Sequence, residues 1–264
     1  MKKFILLSNP LILLFALGIF MASCSEDQEN PLSEGELSQT ELRTILETDA
    51  ISASADNILA ELYTTGNSPS GRNAPECYEA SYTENGFTVV FNNCVLNGTD
   101  NANGTVTVVY STEPGTASFT ATYVDFYVGD IKLNGTRSFT IMGDPNQSAI
   151  SFSVTSDMTA EFSDDSVIIE NGSRVFTFAF GDSLETSSYG ISGSWELQVN
   201  ADEYAVNITS TLEGNLSCGY LTTGTMEVNK NGLQVTVDFG DGTCDNIATI
   251  IYPNGASEDV TLGE

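Results

Sequence analysis

Two periodicities divide the chain. Between Ser38 and about residue 63, apolar residues recur at spacings of three and four, as Leu42, Ile45 and Leu46 and then Ile58, Leu59 and Leu62, which places them on one face of an α-helix. Ser38 followed by Glu41 has the form of a capping box, in which each side chain bonds the other residue's backbone N–H. Ile51-Ser52-Ala53-Ser54 interrupts the pattern, so the sequence predicts one interrupted helix or two short ones over 38–63. From Cys77 onward the period falls to two, in runs such as Thr105-Val106-Thr107-Val108-Val109-Tyr110 and Val175-Phe176-Thr177-Phe178. Seven Asn-Gly pairs, beginning at Asn85, Asn97, Asn103, Asn134, Asn171, Asn231 and Asn254, have the chemistry preferred in two-residue hairpin turns. They are read as turns separating about a dozen strands. Sequential hairpins without intervening helices make the fold class all-β: an antiparallel meander, closed or strongly curved to protect its edges, preceded by a short helical segment.

The first 23 residues follow a third pattern. Lys2-Lys3, an apolar run from Leu11 to Phe20, and the small residues Ala22-Ser23 before Cys24 form the basic, apolar and cleavage regions of a secretory signal. Asn9-Pro10 breaks the apolar stretch, which leaves it short of the ~20 residues that span a bilayer. Ala22-Ser23-Cys24 resembles a bacterial lipobox, with Met21 where Leu is usual. The resemblance implies that Cys24 becomes the lipid-modified first residue of the mature chain, held by acyl chains without any spanning helix. Ser25-Glu26-Asp27-Gln28-Glu29 is similar to the short acidic signal that sends some Gram-negative lipoproteins to the outer face of the outer membrane. The expected organisation is a signal peptide at 1–23, an acidic tether at 24–37, the helical segment at 38–63, a Gly- and Pro-bearing linker at 64–76 and the β domain at 77–264. The expected location is the outer membrane, lipid-anchored and exposed on the cell surface. A spanning β-barrel fits less well, because the sequence ends in Leu262-Gly263-Glu264 without an aromatic residue and the second face of most strands is polar or acidic.

Charge removes several function classes. Eight Lys and Arg against 36 Asp and Glu give a formal charge of −28, and such a chain is repelled by nucleic-acid phosphates, so no nucleic-acid partner is expected. From Cys24 onward six cations stand against the same 36 acids, a charge of −30. Histidine is absent, which excludes Ser-His-Asp chemistry, imidazole bases and His-ligated zinc.

With Cys24 assigned to lipid, Cys77, Cys94, Cys218 and Cys244 make an even count suited to disulfides in an oxidising compartment. Cys77 and Cys94 are equidistant from an Asn85-Gly86 turn closed by Glu84 and Phe87, which predicts a direct cross-strand bridge. That register puts Tyr78, Ala80, Tyr82, Phe87, Val89 and Phe91 on the core face and the bridge on the polar face. Cys218 and Cys244 miss symmetry about Asn231-Gly232 by one residue, so their pairing needs a bulge, for which Gly219, Gly224 and Gly240 are candidates.

Candidate chemistry is sparse. Asp238, Asp241 and Asp245 lie close together around Gly240 and Gly242, an oxygen-rich loop that suits calcium, although the spacing is not that of an EF-hand. The alternative is a tight turn stapled by Cys244. The block Asp238-Phe239-Gly240-Asp241-Gly242-Thr243-Cys244-Asp245-Asn246, with Asp125-Phe126-Tyr127 and Asn134-Gly135-Thr136, resembles an uncharacterised family of β-rich bacterial lipoproteins. That resemblance implies a secreted, disulfide-bearing β domain and brings no catalytic residues. Asp164-Asp165 is a candidate carboxylate pair for glycoside hydrolysis, and Trp195 is either a sugar-stacking platform or core. The function expected is a non-enzymatic surface binding or structural module, with an extracellular protein, a glycan or a cation as ligand and no cofactor beyond that calcium. The alternative is a carboxylate-dependent hydrolase acting on glycans.

Overall fold

The computed structural model describes residues 37–66, 77–96, 100–113, 117–143 and 149–262. The signal peptide, Cys24, nearly all of the tether, most of the linker and Asn97 lie outside them. The helical segment is one continuous helix, α1 (Gln39–Gly66). Its capping box forms as expected, with the Ser38 N–H donating to Glu41 Oε2 (2.8 Å) and the Glu41 N–H donating to Ser38 Oγ (3.2 Å). The expected interruption at Ile51–Ser54 does not occur. Ser54 Oγ bonds back to the Ile51 carbonyl (2.6 Å) and Ser52 Oγ donates to Glu170 on the sheet (3.4 Å), so a locally weak helix is held by tertiary contacts.

Thirteen strands follow. They are β1 (Tyr78–Thr83), β2 (Gly86–Cys94), β3 (Ala102–Tyr110), β4 (Ala117–Val128), β5 (Ile131–Gly143), β6 (Ala149–Glu161), β7 (Val167–Ala179), β8 (Ser188–Val199), β9 (Asp202–Asn215), β10 (Leu221–Lys230), β11 (Leu233–Asp241), β12 (Ile247–Ile251) and β13 (Ser257–Thr261). Each pairs antiparallel with the next in a single meander that is not closed, with β1 and β13 as its edges.

The sheet wraps around α1. Near its start, Arg43 Nε donates to the Thr261 carbonyl of β13 (3.2 Å); further along, Asp56 pairs with Arg137 of β5 (3.0 Å) and accepts from the Tyr123 hydroxyl of β4 (3.2 Å). The helix rises only about 20 Å between Arg43 and Asp56, whereas the nine strand spacings from β4 to β13 would cover about 43 Å on a flat sheet. Curling of the sheet closes the difference. Leu42, Ile45, Ala55, Ile58 and Leu59 of the helix are buried with Phe91, Val106, Phe126, Leu133, Met226, Val237, Phe239 and Ile250 from the concave face.

Three of the seven Asn-Gly pairs are not turns. Gly104, Gly135 and Gly172 lie inside β3, β5 and β7. At Gly104 (φ 100°) a Cβ would stand 2.0 Å from the Asp125 carbonyl oxygen, and at Gly135 (φ 126°) it would stand 2.1 Å from that of Asp157. Glycine is required there because any Cβ would collide with the neighbouring strand's backbone, and glycines of this kind are a device that curls long sheets. Asn231-Gly232 does form the two-residue β10–β11 turn, with positive φ at both residues, and Asn254-Gly255 lies in the β12–β13 turn. The β1–β2 turn is Glu84-Asn85, closed by Thr83 and Gly86, one residue earlier than the expected Asn85-Gly86.

That shift changes the route to the first disulfide. Tyr78 faces Phe91, and the irregularity at Asn92-Asn93, with Asn93 at φ 51°, carries Cys94 back alongside Cys77. The Asn92 N–H donates to the Cys77 carbonyl (2.8 Å). Cys77 and Cys94 are bonded, but Cys94 is fully buried, so the bridge belongs to the core side and not to the polar face. Cys218 and Cys244 are also bonded, and the register of β10 on β11 slips beside Gly224 and Gly240, two of the three expected bulge positions.

Candidate functional site

The helix covers only part of the concave face. Toward the ends of β4 to β7 that border the β3–β4 and β7–β8 loops, alternation continues to place apolar residues inward: Phe119, Phe139, Ile141, Ile150, Phe152, Phe176 and Phe178. With Phe87, Val108, Tyr110 and Leu59 they line a trough of about 980 Å³. Cross-strand register fixes its surface, since Phe119 faces Phe139, Ile141 faces Phe152 and Phe152 faces Phe176. The Phe119 and Phe139 rings stack at 4.7 Å, and Phe152 stacks on Phe176 at 5.3 Å and on Phe178 at 6.1 Å.

At the helix side of the trough lies one polar cluster. Arg137, 2% exposed, reaches Asp56 Oδ2 at 3.0 Å, donates from NH1 to Ser156 Oγ at 3.0 Å, and lies 5.7 Å from the centroid of the Phe139 ring. Burial, followed by the neighbouring Asp56 charge, holds the Tyr123 hydroxyl well above its ordinary value, so it stays protonated and donates to Asp56. Asp56 itself keeps 23% of its side chain exposed and lines the trough.

Two further polar links fasten the helix. Glu170 accepts from Ser52 of the helix and pairs with Arg174 of its own strand, which lies 4.1 Å from the centroid of the Trp195 ring, and Glu41 of the helix pairs with Lys230 and accepts from the Tyr204 hydroxyl (2.7 Å). Burial opposes the Glu41 charge, but hydrogen bonds from Lys230, Ser38 and Tyr204 outweigh it and lower the carboxyl to about 2. Arg43, Arg137 and Lys230 thus bond across the helix–sheet interface.

The residues singled out by sequence are placed elsewhere. Asp238, Asp241 and Asp245 each accept from the backbone of their own turn: from Gly240 (2.9 Å), Thr243 (3.1 Å) and Ile247 (3.1 Å) respectively. Thr243, through its hydroxyl and then its N–H, lowers the Asp241 carboxyl. Among the described residues no three His, Cys, Asp or Glu side chains gather to hold a metal. Asp164 is an exposed turn carboxylate lowered by the hydroxyl and N–H of Ser166, the opposite of what a general acid requires. Trp195 is buried under Arg174, as the core reading expects.

Sequence reading missed the trough because its aromatic residues have the alternation of a sealed core. Strand length carried the signal: β4 to β9 run for 12 to 14 residues, while β10 to β13 run for 5 to 10. No family model matches the chain, nor does any curated protein or solved structure.

Proposed function

We propose that the chain is a lipid-anchored module of the cell envelope, displayed on the outer face of the outer membrane, which binds an apolar ligand in the trough and performs no chemistry on it. The observation that carries the binding reading is the trough itself: about 980 Å³, open on one side and lined by stacked phenyl rings beside one ion pair. Ligand sites are typically apolar concavities of roughly 300–1,000 Å³ with a few fixed polar groups. A glycoside hydrolase needs two opposed carboxyls. Asp56 is the only carboxylate among the described residues that line the trough, and it is engaged by Arg137.

The envelope reading rests on the signal-like N-terminus, Cys24 after Ala22-Ser23, and the acidic run that follows. Across β7 to β11 the outer face carries Asn171, Glu196, Asn207, Glu227 and Gln234, which line a shallow groove there. Mass spectrometry of the chain purified from membranes tests the anchor, with an acylated N-terminal peptide beginning at Cys24 expected. An unmodified Cys24 contradicts it. For binding, titration with the neutral apolar dye N-phenylnaphthylamine is expected to give saturable fluorescence that Phe152→Asp abolishes. Dye binding that Phe152→Asp leaves unchanged places the site elsewhere.

A further inference from the structure

The long axis of the trough runs across the strands. Register joins its floor into two rows: Tyr110 of β3 faces Phe119 of β4, which faces Phe139 of β5, and beside them Ile141 of β5 faces Phe152 of β6, which faces Phe176 of β7. With Phe87 of β2 the lining reaches over six strands, and their five spacings cover about 24 Å on a flat sheet. Along any one strand it takes in no more than three inward positions, about 14 Å. The long axis is also the direction in which the sheet curls to close around α1. Whatever covers both rows must therefore bend along its length.

The floor itself is continuous. The Phe119–Phe139 and Phe152–Phe176 rings lie within 19° and 22° of parallel at 4.7 and 5.3 Å, which leaves no slot between them for a planar group to enter. The charged groups of the lining, Asp56 and Arg137, are paired with each other at the helix side, and both rows are apolar. Resting on the binding reading above, we infer that the apolar part of the ligand is a flexible hydrocarbon chain laid across the strands from β3 to β7, not a compact or rigid ring system. A chain follows the curl by rotating about its C–C bonds and keeps contact with both rows, whereas a ring system touches only the part of the floor beneath it.

The test uses dodecanol, cyclododecanol and naphthylethanol, which share a carbon count and a single hydroxyl, titrated by displacement of N-phenylnaphthylamine from the purified chain. After correction for each alcohol's transfer from water to hexane, dodecanol is expected to bind at least about tenfold more tightly than either ring alcohol, because leaving two CH₂ groups out of contact forfeits about fourfold for each. Phe119→Asp on β4 and Phe176→Asp on β7 replace partly exposed rings in different rows, and each is expected to weaken dodecanol at least about tenfold. Either ring alcohol binding within tenfold of dodecanol overturns the inference while leaving the binding reading intact, and so does dodecanol affinity that survives in one of the two folded variants. Failure of all three alcohols to displace the dye overturns the binding reading and the inference with it. The ranking on the unaltered protein decides the matter even if a variant does not fold.

Discussion

Along β5 and β6 one alternating pattern produces two environments. At one end Leu133 is 0% exposed and Met158 2%; at the other, on the same face of the same strands, Ile141 is 53% exposed and Ile150 50%. The difference is what lies opposite. Leu133 and Met158 share the core formed with α1, whereas Ile141 and Ile150 face the trough. Amphipathic alternation thus specifies which face turns inward, but the length and position of the helix determine how much of that face is covered.

The polar contacts divide the same way. Under the helix, charges are paired and enclosed, so removing one partner takes a charge-assisted bond from a buried group. Glu170→Ala takes the Glu170 carboxylate away from buried Arg174 and is expected to cost about 3–5 kcal/mol, read as a lowered urea midpoint at constant slope. A midpoint within error of the parent would mean that this buried pair contributes nothing to the fold.

Truncation of apolar residues tests the contrast directly. Leu133→Ala is expected to cost about 2–5 kcal/mol, and Ile141→Ala or Ile150→Ala less than about 1 kcal/mol, because the latter already touch solvent. Equal costs would show that the trough is packed in solution.

Acid probes the other end of the interface. Glu41 has an ordinary value near 4.5 and is lowered to about 2 in the fold, so its stabilising contribution is complete above about pH 5 and is lost as pH falls toward 2. The loss is on the order of 2 kcal/mol after allowing for partial exposure. Glu41→Gln is expected to be less stable at pH 7 and to flatten this part of the pH profile, measured by denaturant titration at successive pH values. An unchanged profile would remove Glu41 from the account. Phe152→Asp is expected to change stability by no more than about 1.5 kcal/mol, because the partly exposed ring opens onto the trough and its carboxylate replacement is hydrated there. A large loss would make Phe152 core.

Much of this architecture is legible in the residues. Period-two runs marked the strands, Ser38 and Glu41 marked the helix start, and an even cysteine count marked two bridges. Three Asn-Gly pairs misled because glycine takes positive φ inside a strand as readily as in a turn, and at Gly104, Gly135 and Gly172 that freedom lets neighbouring strands approach instead of ending one. The Cys77–Cys94 bridge shows a related limit: a turn one residue earlier and an irregularity at Asn92-Asn93 offset each other, so the partners are the expected ones on the opposite face. The Asp238–Asp245 cluster drew attention because carboxylates near glycine suit cations. Asx turns have the same composition, and here each carboxylate serves its own backbone. The trough was hidden because partial cover by a helix is a property of tertiary geometry, and nothing local in Phe139 or Phe152 differs from a core phenylalanine.

The most direct test of a covered half beside a ligand-binding half is methyl-resolved NMR of the folded chain during titration with dodecanol. Saturable shift changes are expected at Ile141, Ile150 and Leu59, with Leu133, Met158 and Met226 unmoved. Changes centred on Leu133 and Met226, or on outer-face residues such as Ile247, would contradict it, as would a spectrum that does not respond at all.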